Sequence, residues 1–251
     1  MSPAAGDFCP RGVCDGSGWI LDDETNTARA CECRTIRINR NASRRIGSGI
    51  PRRFRGVSFE RNPICDLDPM VLRQVRDFIT DIDRNLDRGR GFWFYGDVGT
   101  GKTSLAMLIS QSAIERGRSV AIYSVPQLLA DIKATYEDGA GSSYLDLFRR
   151  LSRVDLLHLD DLGAEKRTEW VLEQLYAIVN ERWQDQRSIV VTTNLQNRDE
   201  LKAQLGERTV SRLSEMCAAI PIFGADRRKP FVDWSERSDD AVGLRTVSGE
   251  S

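Results

Sequence analysis

Eight consecutive residues, Gly96-Asp97-Val98-Gly99-Thr100-Gly101-Lys102-Thr103, match the spacing G-x-x-x-x-G-K-[ST]. Each position has a chemical reason. Glycines let the backbone curl so that several N–H groups converge on phosphate oxygens, and the helix that must follow adds its positive end. Lys102 reaches the β- and γ-oxygens of a nucleoside triphosphate, and Thr103 offers a hydroxyl to Mg²⁺. Ser104, the next residue, is counted with this phosphate-binding set.

A second cluster ends the run Leu156-Leu157-His158-Leu159, where apolar residues give way to the adjacent carboxylates Asp160 and Asp161. At the C-terminal edge of a parallel sheet these face the glycine-rich turn, Asp160 holding the Mg²⁺ shell and Asp161 orienting the attacking water. A turn with solvated acids is the plainer reading, and the phosphate-binding motif upstream weighs against it. His158, the only histidine, alternates away from its strand neighbours and reads as packing. In Thr192-Thr193-Asn194, an amide at a strand exit can hydrogen-bond the nucleophilic water or the γ-phosphate, although the same triplet suits an ordinary turn. Arg208, Arg212 and Arg228 each offer a planar guanidinium to in-line phosphoryl transfer. In a chain with 31 Arg and five Lys, spacing alone does not separate them from their neighbours.

Four of the six cysteines, Cys9, Cys14, Cys31 and Cys33, fall in the first 33 residues. Clustered thiols in a cytosolic chain point to metal before disulfide. Zn²⁺ accepts a C-x₂₋₄-C chelate, and Cys31-x-Cys33 supplies the other two thiolates of a tetrahedral site, with Gly16 and Gly18 giving the turns. The alternative is four reduced cysteines in a loose leader.

These groups need a scaffold, and the pattern supplies one. Short apolar β-rich runs at 91–96, 120–125, 154–160, 188–194 and 218–223 alternate with helical spacing at 103–116, 126–136, 143–153 and 168–186, after a first helix near 67–86. That is the signature of repeated βα units around a parallel sheet buried on both faces. A hydrophobic share of 40% with 29% charged residues excludes a disordered chain. No apolar stretch approaches the roughly 18 to 20 residues of a spanning helix, and the start lacks a secretory pattern, so a cytoplasmic protein with no membrane partner is expected.

The formal charge of −1 hides segregation: −4 over residues 1–33, +8 over 34–59, where eight Arg meet no acid, and −5 over the rest. The basic block, punctuated by Gly47, Gly49, Pro51 and Gly56, reads as a connector able to hold DNA or a partner's acidic face. The expected organisation is a cysteine module over 1–35, a basic linker over 36–56, an ATPase domain over 57–234 and a disordered tail over 235–251.

Taken in order, GDVGTGKTSLA, LLHLDDLGAEKRTEW, VVTTNL, GERTVSRL and FGADRR resemble the AAA+ ATPases of the DnaC/DnaI helicase-loader group, a pattern largely shared by IstB-type transposition helpers. CPRGVCDGSGW, CEC and IPRRFRGVSFE resemble the leader of bacterial and phage DnaC-like proteins. The resemblance implies a P-loop AAA+ three-layer sandwich with a five-stranded parallel sheet, a short C-terminal lid and a small zinc-bearing module. It makes Gly96 to Thr103 Walker A, and Asp160 and Asp161 Walker B, with Asp where many AAA+ proteins carry Glu. Asn194 becomes sensor 1, Arg212 an arginine finger acting in trans with Arg208 as its competitor, and Arg228 sensor 2. Family leaders commonly begin Cys-x-x-Cys, from which Cys9 and Cys14 depart.

The implied cofactors are ATP and Mg²⁺. The implied partners are a replicative helicase, single-stranded DNA and further copies of the chain bridged by ATP. The group carries a helix facing single-stranded DNA between the second and third strands. In 126–153 here, Lys133, Arg149, Arg150 and Arg153 interleave with Tyr136, Tyr144 and Phe148, which suits phosphate neutralisation and base stacking or, more plainly, an amphipathic helix pair. Two other functions stay open: an IstB-like ATPase regulating transposase target selection, and an adaptor that binds ATP without hydrolysing it. The leader favours the loader, and the paired aspartates argue against the adaptor.

Overall fold

The computed structural model describes residues 9, 12–22, 25, 27–34, 49–137 and 141–227. Arg228, the tail at 235–251 and most of the basic connector lie outside the described residues.

In the leader, β1 (Trp19–Asp22) pairs antiparallel with β2 (Thr27–Ala30). Seven of these eight residues are exposed, so the ribbon has no apolar alternation by which the sequence could announce it.

The main sheet contains β3 (Gly91–Tyr95), β4 (Val120–Ser124), β5 (Leu156–Asp160), β6 (Ser188–Thr193) and β7 (Cys217–Pro221). All neighbours are parallel, in the order β4-β5-β6-β3-β7. Each strand lies within two residues of its expected bounds, and β3, β5 and β6, buried along nearly their whole length, read as largely apolar runs. Alternation splits the core into two layers. Phe92, Phe94, Leu156 and Val190 pack under α1 (Pro69–Thr80), α2 (Ile82–Asp87) and α3 (Lys102–Glu115). Trp93, Leu157, Leu159 and Val191 pack on the other face against α4 (Val125–Glu137), α5 (Gly141–Arg153), α6 (Glu169–Gln184), α7 (Arg198–Leu205) and α8 (Glu207–Met216).

Two expectations need correction. The single helix near 67–86 is two, because Asp81 leaves helical geometry (φ −104°, ψ 34°). The break is accommodated locally: the buried Asn85 donates from Nδ2 to the Phe78 carbonyl at 3.0 Å, and Thr80 bonds back to the Arg76 carbonyl. The second is that 198–216, not read as helical, forms α7 and α8. Asn197 caps the first through the Glu200 amide at 2.9 Å. Gly206, at φ 82°, lets the chain turn directly into the second.

The layers are fastened by Arg182 of α6, whose side chain is wholly buried. Its terminal nitrogens donate to the carbonyls of Leu151, Ser152, Val154, Asp155 and Ser188. Three of these close the C-terminal end of α5, where helical carbonyls lack partners of their own. Burial, and then the neighbouring Arg187, push its pKa down to about 9, which leaves it charged at neutral pH.

Candidate functional site

β6 lies between β5 and β3, so sheet order alone brings three loops to one edge. Tyr95 is level with Thr193, and Leu159 with Val191. The turn after Tyr95, the acids at the end of β5 and Asn194 therefore leave the sheet side by side, the position at which parallel α/β sheets bind ligands.

The turn is tightly built. A Cβ at Gly96 would meet the Ile222 carbonyl oxygen at 2.4 Å, so only glycine fits there. The Thr100 hydroxyl donates to the carbonyls of Asp97 at 2.9 Å and Ile222 at 3.1 Å. Lys102 is buried, and its Nζ donates to the carbonyls of Gly96 at 3.0 Å and Asp97 at 2.5 Å. Asp97 acts as a joint: its carboxylate accepts from Gln196 Nε2 at 2.8 Å and from the Gly224 amide at 3.0 Å. Gly99 accepts from the Arg227 amide at 3.0 Å. Val98 is exposed, and Ser104 is buried in the first turn of α3. No side chain caps α3 at Gly101, so its first amides fit an anion. A glycine cradle, an uncapped helix start and a buried lysine together fit a polyphosphate.

Across the edge, Thr192 organises the two aspartates. Its hydroxyl donates to Asp160 Oδ1 at 2.6 Å and accepts from the Asp161 amide at 3.0 Å, while its carbonyl accepts from the Leu162 amide at 2.8 Å. Asp161 is exposed and sits at φ 56°, the left-handed region that Asp tolerates better than most residues. Burial raises the Asp160 carboxyl, but His158, Thr192 and Thr103 outweigh it and hold it below the usual carboxylate range. Thr103 is thus one of the side chains that favour the Asp160 carboxylate. His158 is a packing residue with a polar tether: fully buried, it meets Ser110 Oγ through Nδ1 at 3.0 Å. Its Nε2 stands 3.8 Å from Asp160 Oδ1, an electrostatic contact longer than a hydrogen bond. Asn194 is exposed at the strand exit.

Arg208 and Arg212 line one cavity of about 420 Å³ together with Tyr176, Lys202 and Glu207. Arg212 stacks on Trp183 and meets Glu215. Arg228 lies outside the described residues.

The four leader cysteines come together, their sulfurs all within 4.8 Å of one another. Cys9 and Cys31 are 3.8 Å apart and Cys14 and Cys33 3.4 Å. Tetrahedral Zn–S bonds of about 2.3 Å separate sulfurs by about 3.8 Å, whereas a disulfide needs about 2.05 Å. Burial and hydrogen bonds among the thiols push Cys33 up to about 12; four thiolates packed this closely would repel one another without a cation among them.

The basic and aromatic segment is partly committed internally. Tyr136 stacks on Tyr144 and Tyr144 on Phe148, at centroid distances of 5.3 and 6.1 Å. Tyr144 also donates to Gln174 at 3.0 Å, and Lys133 lies 5.2 Å from the Trp170 ring. Tyr136 remains exposed. Among the described residues no helix is long and apolar enough to cross a membrane.

Sequence alone missed Thr192 as an organiser, although it lies inside the Thr-Thr-Asn triplet, and missed Trp183 and Glu215 beside Arg212. A family profile for IstB-like ATP binding proteins matches residues 71–229. Over 206 residues the chain is 31% identical to the replicative helicase loader DnaC of Escherichia coli K12, covering 82% of this chain and 81% of that one. The crystal structure of a DnaC helicase loader superimposes with a TM-score of 0.59 at 24% identity, over 68% of this chain and 99% of that one. That of DnaI gives 0.57 at 22%, over 68% and 94%. These two likenesses concern the fold, a P-loop AAA+ sandwich.

Proposed function

The chain belongs to the IstB-like ATP-binding family, in its DnaC/DnaI-type AAA+ branch, and on that premise we propose that it binds and hydrolyses ATP to load or remodel a replicative helicase on single-stranded DNA. The observation that carries the hydrolytic part is the Thr192 bridge, which fixes both aspartates at the edge where the P-loop opens. Gly96 to Ser104 cradle the phosphates, Lys102 turns to the β- and γ-oxygens, and Thr103 and Asp160 hold the metal. Mg²⁺ held by Thr103 and Asp160 would supply electrostatic neutralisation of the charge that develops on phosphoryl transfer. Asp161 orients the water, Asn194 contacts it or the γ-phosphate, and an arginine from a neighbouring copy completes the charge balance. Arg228 is the sensor 2 candidate.

The loader reading rests on the relationship to DnaC, which extends over 81% of that protein. We propose the same four-part organisation for this chain: a cysteine module over 1–35, a basic linker over 36–56, an ATPase domain over 57–234 and a tail over 235–251. The test is reconstitution. With a replicative helicase and circular single-stranded DNA, the chain should raise helicase retention on DNA at least about tenfold in an ATP-dependent manner, and DNA binding should weaken with added salt. No helicase capture, together with ATP-dependent stimulation of a transposase, would establish the IstB-like alternative.

We assign Cys9, Cys14, Cys31 and Cys33 to structural zinc. Metal analysis of the full chain should return about one zinc per chain. Cys33→Ser should lower it severalfold and melt the leader hairpin while leaving ATP binding in place. Less than a tenth of an equivalent in the wild type, on the scale of a single site, would refute the assignment.

A further inference from the structure

Arg212, Trp183 and Glu215 close a triangle where α6 meets α8. The Arg212 guanidinium lies 3.5 Å from the centre of the Trp183 ring. Its Nη1 meets Glu215 Oε1 at 3.4 Å, and Trp183 Nε1 donates to the other oxygen, Oε2, at 2.8 Å. One carboxylate thus fixes both the indole and the guanidinium stacked on it. Arg208, one turn earlier on α8, reaches no closer than 6.0 Å to the Tyr176 ring centre and is exposed.

That difference matters for an arginine that must meet a phosphate. A long exposed side chain gives up rotamer freedom on contact, and the loss subtracts from whatever the contact provides. Stacking on an indole and pairing with a carboxylate remove the freedom beforehand. The triangle does not consume the group. Glu215 takes one side of a planar fork with five N–H donors, and the Arg212 side chain keeps 29% of its surface exposed. The charge is therefore oriented and still presented to a second surface.

Resting on the hydrolytic reading above, we infer that Trp183 and Glu215 are positioning residues that pre-set Arg212, rather than Arg208, to meet the γ-phosphate held in the P-loop of a second copy of this chain. Both act through Arg212 and neither touches the nucleotide. The clamp sits on the subunit that donates the arginine, so its loss impairs hydrolysis in the neighbour.

The test is ATP turnover by the full chain. Trp183→Leu and Glu215→Ala should each lower kcat roughly tenfold with KM for ATP within about twofold, a fraction of what a full arginine finger contributes. Arg212→Ala should lower kcat at least as far as either clamp variant, and further than Arg208→Ala does. Trp183→Phe, which keeps an aromatic face, should recover much of the loss. Mixing is the discriminating step: Lys102→Ala chains, inactive at their own P-loop but carrying an intact clamp, should restore turnover to Trp183→Leu chains. Glu215 is half exposed, so Glu215→Ala carries the test should Trp183→Leu fail to fold. A hydrolysing wild type matched by both clamp variants overturns the inference alone, as does a rise in kcat, which would mean that the stack holds the arginine back. Failure of the mixture to recover also overturns it. A wild type that releases no phosphate overturns the hydrolytic reading itself.

Discussion

Arg182→Leu is expected to lower stability by more than about 4 kcal/mol, enough to leave little folded chain, because each buried carbonyl stripped of its donor costs about 1–3 kcal/mol. Five carbonyls depend on this guanidinium, and they belong to the end of α5, the entry to β5 and the start of β6. A leucine satisfies none of them and leaves unfilled volume as well. Arg182→Lys retains the charge but brings three donors on a shorter reach, so its loss should fall between those of leucine and wild type. The urea midpoint measures both. A leucine variant within about 1 kcal/mol of wild type, the scale of an ordinary surface change, would mean that the carbonyls find other partners.

The second large effect separates binding from turnover. Lys102→Ala is expected to weaken ATP binding on the order of a hundredfold, since the only lysine of the turn carries the charge proposed to meet the β- and γ-oxygens. Asp161→Asn should bind ATP within about threefold of wild type yet release phosphate on the order of a hundredfold more slowly, because an amide orients water without polarising it as a carboxylate does. Fluorescent nucleotide titration and phosphate release distinguish the two lesions.

Much of this was legible in the sequence. The five strands read within two residues of their bounds: the three central ones are buried on both faces, which leaves little room for polar residues, and the partly exposed edge strands β4 and β7 still carry short apolar runs. The phosphate-binding turn read directly, since the demands on its backbone leave few residue choices at Gly96 and Lys102. What escaped has a common character. Asp81 breaks a helix without disturbing the apolar stripe, so no periodicity marks it. Arg182 is one of 31 arginines, and only burial distinguishes it. Trp183 and Glu215 are 32 residues apart and belong to different helices. Thr192 looked like part of a turn, yet its hydroxyl serves two aspartates at the end of the neighbouring strand. Each depends on contacts made across strands or helices, and no local pattern encodes those. The leader was the reverse: the cysteine spacing announced the cluster, and the exposed hairpin beside it, which shows no apolar alternation, gave no signal.

The most direct test of the account is single-turnover phosphate release with the full chain in excess over ATP and Mg²⁺ present. The wild type should convert the bound ATP, and Asp161→Asn should hold it intact for at least about a hundred wild-type half-lives, as expected if Asp161 is the carboxylate that orients the water. Equal rates from the two proteins would contradict the account and leave a chain that binds ATP only to assemble.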